Sequence, residues 1–303
     1  MNKLFFTRIA FAILLLSHVT SSSFAADQRT TLKRGIFSKQ LTVKAVSKGG
    51  HSGNCMKLSI TNTTANNLSV TIDPALIFVP EDTAYQNLVT LGSEIIAIAP
   101  SATVDIDLRS FCGKSYALSP RKNLNYKFWR QGDSTMVRTL GYIKTNNFSN
   151  HLAQSAVWMF TNGHCLSTVY DHSQPSASEN LIKYIADLKK YKIPTIFTEL
   201  EQNNRPDQPA ILQNGATKLF VPIKWNNENV RHMRVTILKE NGDVYRKIDG
   251  HEEINKDGHT VWVEFNSVND MKGNYFIELK DESSRVWASK QVTIGYDPCS
   301  MSM

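Results

Sequence analysis

Short runs in which apolar and polar residues alternate at period two begin at 41–46 and recur at 56–61 and 68–72. Alternation of this kind places one face against a core and the other against water, so each run predicts a half-buried strand. A glycine-rich break, Gly49-Gly50-His51-Ser52-Gly53, separates the first two runs, and a polar Asn/Thr stretch at 62–67 separates the second from the third. That stretch predicts a turn joining 56–61 to 68–72 as an antiparallel hairpin. Further apolar or alternating segments follow at 75–79, 88–89, 95–98 and 104–108, with Pro or Gly between them. Strands at such short intervals read as a β-sandwich or barrel.

The period changes after Tyr126, Phe128 and Trp129. Leu152, Ala153, Ala156, Val157 and Phe160 fall at helical spacing, which predicts a helix at about 150–162 with Ser149 or Asn150 as N-cap and Gly163 as its stop. Leu181, Ile182, Ile185 and Leu188 predict a second helix at about 178–191. Ser176 and Glu179 stand at capping-box spacing there, Lys189 and Lys190 suit its negative end, and Pro194 closes it. Strands followed by two helices make residues 26–200 an α+β unit built on a β-sandwich. Residues 201–213 are polar, proline-bearing and aperiodic, as a linker would be. Alternation returns over 214–296 in six or seven short runs separated by Asn241-Gly242, Asp257-Gly258 and Lys272-Gly273. That pattern predicts a small immunoglobulin-like β-sandwich, with residues 297–303 as a tail. The fold class is therefore mainly β.

The chain's start reads as an export signal over residues 1–25: Lys3 and Arg8, a short apolar run from Ile9 to Leu16, and Ser23-Phe24-Ala25 at the cleavage positions. No apolar run reaches the roughly 20 residues of a spanning helix, so the expected product is exported, to the periplasm, the outer surface or the medium. The net charge of +7 is unevenly spread, with 20 Lys and Arg against 14 Asp and Glu in 26–209, and 12 against 13 from 210 onward. Basic runs such as Arg121-Lys122 and Lys189-Lys190 are too short and dispersed for a nucleic-acid surface and read as solvated positions.

Chemistry narrows to few residues. Cys55, Cys112, Cys165 and Cys299 contain no C-x-x-C spacing, which excludes a zinc knuckle or a thioredoxin-type motif; in an exported chain their even count makes all four disulfide candidates. His151, His164 and His172 offer no metal pair at i, i+4, so no metal site or cofactor is expected. Glu81-Asp82, Asp105 with Asp107, and Glu252-Glu253 read as turns or one solvated strand face. On the first long helix, Gln154, Trp158 and Thr161 share the side opposite Leu152 and Ala156. A tryptophan beside a glutamine means that this side is covered too and that the amide needs partners. Trp158, Trp129 and Thr161 are the candidate contact residues for a protein or glycan ligand.

Gln154-Ser155-Ala156-Val157-Trp158, followed by Thr161-Asn162-Gly163, resembles the Gln-x-Ala-Ile/Val-Trp helix motif of bacterial surface thioester domains. The resemblance covers about a dozen residues. It implies a β-sandwich with a helical part, often followed by immunoglobulin-like modules, in which an upstream cysteine and this glutamine condense into an internal thioester that surface amines attack. Gln154 would be the acyl donor. The thiol would be Cys112, in Phe111-Cys112-Gly113, or Cys55, in Asn54-Cys55-Met56. Three functions follow from the sequence: non-enzymatic binding or adhesion at an envelope or cell surface, covalent adhesion through Gln154, and a secreted hydrolase without a recognisable motif.

Overall fold

The computed structural model describes residues 28–92, 94–203, 205–211, 217–224, 233–248, 260–266, 270 and 272–294. The export signal, Glu252-Glu253, the Asp257-Gly258 turn, Cys299, the 297–303 tail and the end of the expected linker lie outside the described residues. The protein is mainly β, with four α-helices among the described residues.

The front module opens with β1 (Gln28–Thr31), α1 (Leu32–Phe37), β2 (Leu41–Ser47), β3 (Ser52–Asn62), β4 (Leu68–Thr71), β5 (Leu76–Pro80), β6 (Leu88–Thr90), β7 (Ile95–Ile98), β8 (Thr103–Cys112) and β9 (Asn125–Gln131). Then come α2 (Ser134–Thr145), α3 (Asn150–Asn162), a 3-10 turn at Leu166–Thr168 and α4 (Pro175–Lys189). Six strands close into a barrel in the order β2-β3-β8-β6-β5-β9. Every neighbouring pair is antiparallel. The front sheet is thus a closed barrel where a two-sheet sandwich was expected, and closure leaves its strands no free edge.

The hairpin expected between 56–61 and 68–72 does not form. β3 pairs with β2 and β8, and β4 joins β1 and β7 in a separate three-stranded sheet. The cause is Asn62, wholly buried at the end of β3. Its amide donates to the carbonyls of Asn66 (2.7 Å), Ile98 (3.0 Å) and Ala99 (3.1 Å), while its side-chain oxygen accepts from the Thr64 N–H at 2.9 Å. These bonds turn the chain out of the barrel. β1 and β4 then run parallel.

Both expected helices form, and two more accompany them. α3 spans Asn150–Asn162, capped by the Ser149 hydroxyl, which accepts from the Leu152 N–H at 3.3 Å, and stopped by Gly163 at φ +69°. α4 begins three residues earlier than its apolar stripe indicated, with Pro175 at its first position and Gln174 at the cap. The capping box at Ser176 is absent because Pro175 already starts the helix. α1 is only six residues long, too short to show periodicity. In α2 the stripe Met136, Leu140 and Ile143 is buried, and Asp133 caps it by accepting from Met136 N–H at 2.8 Å.

Two cores share the front module. One fills the barrel with Met56, Leu58, Ile60, Phe78, Leu88 and Leu108. The other lies between the barrel wall and the helices and is formed by Leu140, Ile143, Leu152, Ala156, Leu181 and Ile185. Because side chains alternate along a strand, Phe111 points into the helical core and Cys112 into the barrel core. α3 is buried continuously from Leu152 to Met159 because it sits between them.

In the rear module, β10 (Phe197–Leu200), β11 (Thr217–Lys224) and β14 (Thr260–Asn266) form one sheet. β13 (Val244–Ile248), β12 (Arg234–Lys239), β15 (Gly273–Lys280) and β16 (Val286–Ile294) form the other, and Leu219, Val221, Ile237, Phe265, Ile277 and Val292 contribute to a core between them. The expected boundary at residue 200 falls after a strand that belongs to the rear sheet, since β10 pairs with β11 over four residues. The expected linker is not a free spacer either. Ala210 and Ile211 enter the barrel core at 3% and 8% exposure, and Ile211 N–H donates to the Ser115 carbonyl at 2.8 Å. Its polar composition reflects the outer face of a packed segment. Among the described residues no helix is long and apolar enough to cross a membrane.

The modules meet through aromatic rings. Trp262 of β14 packs against the helical core, with ring centroids 5.2 Å from Tyr170, 5.8 Å from Phe197 and 4.9 Å from His172. Removing this half-buried indole leaves a cavity at the junction. Trp262→Ala is expected to cost about 2–4 kcal/mol and to split one calorimetric unfolding transition into two, which differential scanning calorimetry would read directly.

Candidate functional site

The site is organised by one helix laid along one strand. Arg109 of β8 donates from Nε to the Asn150 side-chain oxygen at 2.7 Å and from a terminal nitrogen to the Phe148 carbonyl at 2.7 Å, fixing the start of α3. Three residues on, at the end of β8, Cys112 meets Gln154. At the end of α3, the Asn162 amide donates to the Gly113 carbonyl at 3.2 Å and its oxygen accepts from the Ser115 N–H at 3.1 Å. α3 rises about 18 Å over these twelve residues, while β8 ends at Cys112 and the chain bends at Gly113 and turns at Ser115 to meet the end of the helix.

At the centre, the Gln154 amide donates to the Cys112 carbonyl at 2.8 Å, and its oxygen accepts from the Cys112 N–H at 2.9 Å. The same N–H also donates to the His51 carbonyl at 3.0 Å. Gln154 is 4% exposed and Cys112 fully buried, so both polar ends of the carboxamide are satisfied by a single residue's backbone. The side chain takes the place that a neighbouring strand would occupy.

Cys112 carries a free thiol, and so does Cys55. Neither is in a disulfide, which corrects the pairing expected for these two residues. Cys165 is not among the free thiols. Cys55 sits where the β3–β8 register shifts, its sulfur 3.1 Å from the Ser110 hydroxyl and 3.3 Å from the Ser110 carbonyl. Burial pushes the Cys112 thiol well up, and the nearby Cys55 adds to the shift. Burial raises Cys55 as well, partly offset by its bonds to Ser110. Tyr126 shares this pocket: burial, then Cys112 and Cys55, raise its phenol, which donates to the Gln86 carbonyl at 2.9 Å. Trp158, one turn beyond Gln154, closes the barrel core beside them at 2% exposure.

The other sequence candidates separate by environment. Trp158 is interior, at 2% exposure. Trp129 is 54% exposed on β9 with Arg130 over its ring at 4.5 Å. The Thr161 hydroxyl donates back to the Val157 carbonyl at 2.9 Å, a bond within the helix. Asp105 pairs with Lys57 at 2.7 Å and Asp107 with Lys48 on the solvated barrel wall. No group of metal-ligating residues assembles among the described residues. Of the residues that set this geometry, Arg109 and Ser115 carried no sequence signal of their own, and Asn162 entered only as part of the Thr161-Asn162-Gly163 run that follows the helix motif.

His164 follows the Gly163 stop. Its Nε2 lies 2.9 Å from the Ser115 hydroxyl, and burial holds its pKa below that of free imidazole. No family model, curated protein or solved structure matches the chain.

Two outcomes follow. Gln154→Ala leaves the Cys112 carbonyl unpaired and opens space beside it, so it should lower stability by about 2–3 kcal/mol in urea unfolding. Since His164 binds its proton less readily when folded, the unfolded chain takes up more protons as pH falls. Its share of stability is present above a pH of about 6.5 and lost below it. The urea midpoint should therefore drop between about pH 7.5 and 5.5, and less steeply in His164→Gln.

Proposed function

We propose that this chain is an exported surface-binding protein whose front module joins Cys112 to Gln154 in an internal thioester, through which it bonds covalently to amines of a protein partner. The observation that carries this reading is the two-way pairing of the Gln154 carboxamide with the backbone of a buried, unpaired cysteine. Of the two candidate thiols, it favours Cys112. In closure, the Cys112 sulfur attacks the Gln154 carboxamide carbon; the C–N bond breaks, and the amide nitrogen leaves as ammonia with the thiol proton. No oxidant or cofactor is needed.

Burial suits both halves of such chemistry. Gln154 is 4% exposed, and Trp158, one turn on, is part of the barrel core, so little water would reach the reactive carbon. A thiol whose pKa is raised by burial is also a poor leaving group, so the acyl bond would persist until a stronger nucleophile than water arrives. The rear module would then serve as spacer or platform.

A second reading has its own support. Asn162 makes the same kind of two-way backbone contact with Gly113 and Ser115, where no thiol is involved. On that reading Gln154 is a brace like Asn162, and binding to a protein or glycan is non-covalent. Intact mass of the denatured, non-reduced protein separates the two. The thioester predicts a deficit of one ammonia that disappears in Cys112→Ala and Gln154→Ala but persists in Cys55→Ala. A full-mass protein with a titratable Cys112 thiol would leave only the brace.

A further inference from the structure

The loop that leaves α4 mixes positive charge with apolar side chains. Lys189-Lys190-Tyr191-Lys192-Ile193 sets lysines around two large apolar groups, and no acidic residue follows before Glu199. Tyr191 and Ile193 are 51% and 52% exposed, with Lys190 and Lys192 exposed beside them. Apolar side chains scattered singly over a surface are ordinary. Two of them two positions apart and interleaved with lysines make a patch with a definite chemistry.

The backbone holds this patch outward. Lys190 ends α4 in the left-handed region at φ +58°, which few residues other than glycine adopt readily. The Tyr191 N–H donates to the Ala186 carbonyl at 3.0 Å and fixes the turn, and Pro194 is buried at the loop's other end. Tyr191, Lys192 and Ile193 therefore project from a segment tied down on both sides. Lys189 lies back along it, its ammonium 5.4 Å from the Phe160 ring centre and 5.5 Å from that of Tyr191. At the base of the loop the Thr195 carbonyl accepts from Lys290 Nζ at 2.8 Å. The last acid of α4, Asp187, is engaged by Lys183 at 3.0 Å. Lys190 and Lys192 are in no ion pair among the described residues.

We propose that this loop is a membrane-surface contact, in which Tyr191 and Ile193 enter the headgroup layer of an anionic bilayer while Lys189, Lys190 and Lys192 meet its phosphates. Charge alone fits any acidic partner. The apolar pair selects lipid, because a bilayer interface takes up a tyrosine ring and an aliphatic side chain just beneath the level at which it presents negative charge. One patch of this size gives reversible attachment. The assignment is independent of the chemistry at Gln154.

The test is cosedimentation of the full-length protein with vesicles of phosphatidylcholine alone and of phosphatidylcholine mixed with phosphatidylglycerol. Residues 1–25 are common to every variant, so comparison among variants isolates the loop. Wild type should pellet with the anionic vesicles, and less as salt is raised. The double variant Lys190→Gln, Lys192→Gln should weaken that partition by about 30-fold, the effect of two charges at an anionic surface. Ile193→Ser should weaken it by about 10-fold through the loss of apolar burial. Lys44→Gln with Lys122→Gln removes two exposed lysines from the barrel and should leave it unchanged. Wild-type partition in both loop variants, or equal partition onto neutral and anionic vesicles, would overturn the assignment. Loss in the lysine variant alone, with poly-glutamate displacing the vesicles and Ile193→Ser binding as wild type, would also overturn it and make the loop a contact for acidic polypeptide.

Discussion

The front module depends on the register between α3 and β8. Arg109 and Gln154 fasten α3 to the last residues of β8, and Asn162 fastens its end to the bend and turn that follow at Gly113 and Ser115. Slippage of α3 by one residue would rotate Gln154 away from Cys112 by about 100° and expose part of a helix that is buried on every side. Two hydrophobic cores and three polar contacts therefore specify one alignment, and the proximity of Gln154 to Cys112 follows from it.

That alignment places an amide and a thiol in apolar surroundings that disfavour charge on either. Cys112 lies inside the barrel with Cys55, Tyr126 and Trp158 around it, and its thiol resists ionisation. The same surroundings keep water out. The polar strap of residues 113–115 marks the limit of this apolar zone, since each of its contacts with Asn162 and His164 satisfies a backbone or hydroxyl group that would otherwise be unpaired beside the core.

Much of this was legible in the sequence, and the gaps have physical causes. The alternating runs located most strands, and the 3.6-residue stripe located α3 to the residue, because Ser149 and Gly163 punctuate it. Pairing was less legible than existence: alternation states that 56–61 and 68–72 are strands but not whether they are partners, and buried Asn62 directs them into different sheets. The glutamine's need for partners was visible from Trp158 on its side of the helix. The partner itself was not, because a backbone N–H and C=O belong to every residue and leave no mark in a side-chain pattern. Polar composition misdescribed residues 201–211, where, among the described residues, Ala210 and Ile211 face inward.

The junction between the modules decides how the molecule bears tension. β10 has Phe197 in the helical core of the front module while its backbone is bonded to β11 of the rear sheet, and Ile211 is anchored in the barrel core. A pull on the rear module therefore does not first straighten a slack tether. It loads antiparallel hydrogen bonds and the rings around Trp262 at once, and the force passes along β10 to the helices that hold Gln154 against Cys112.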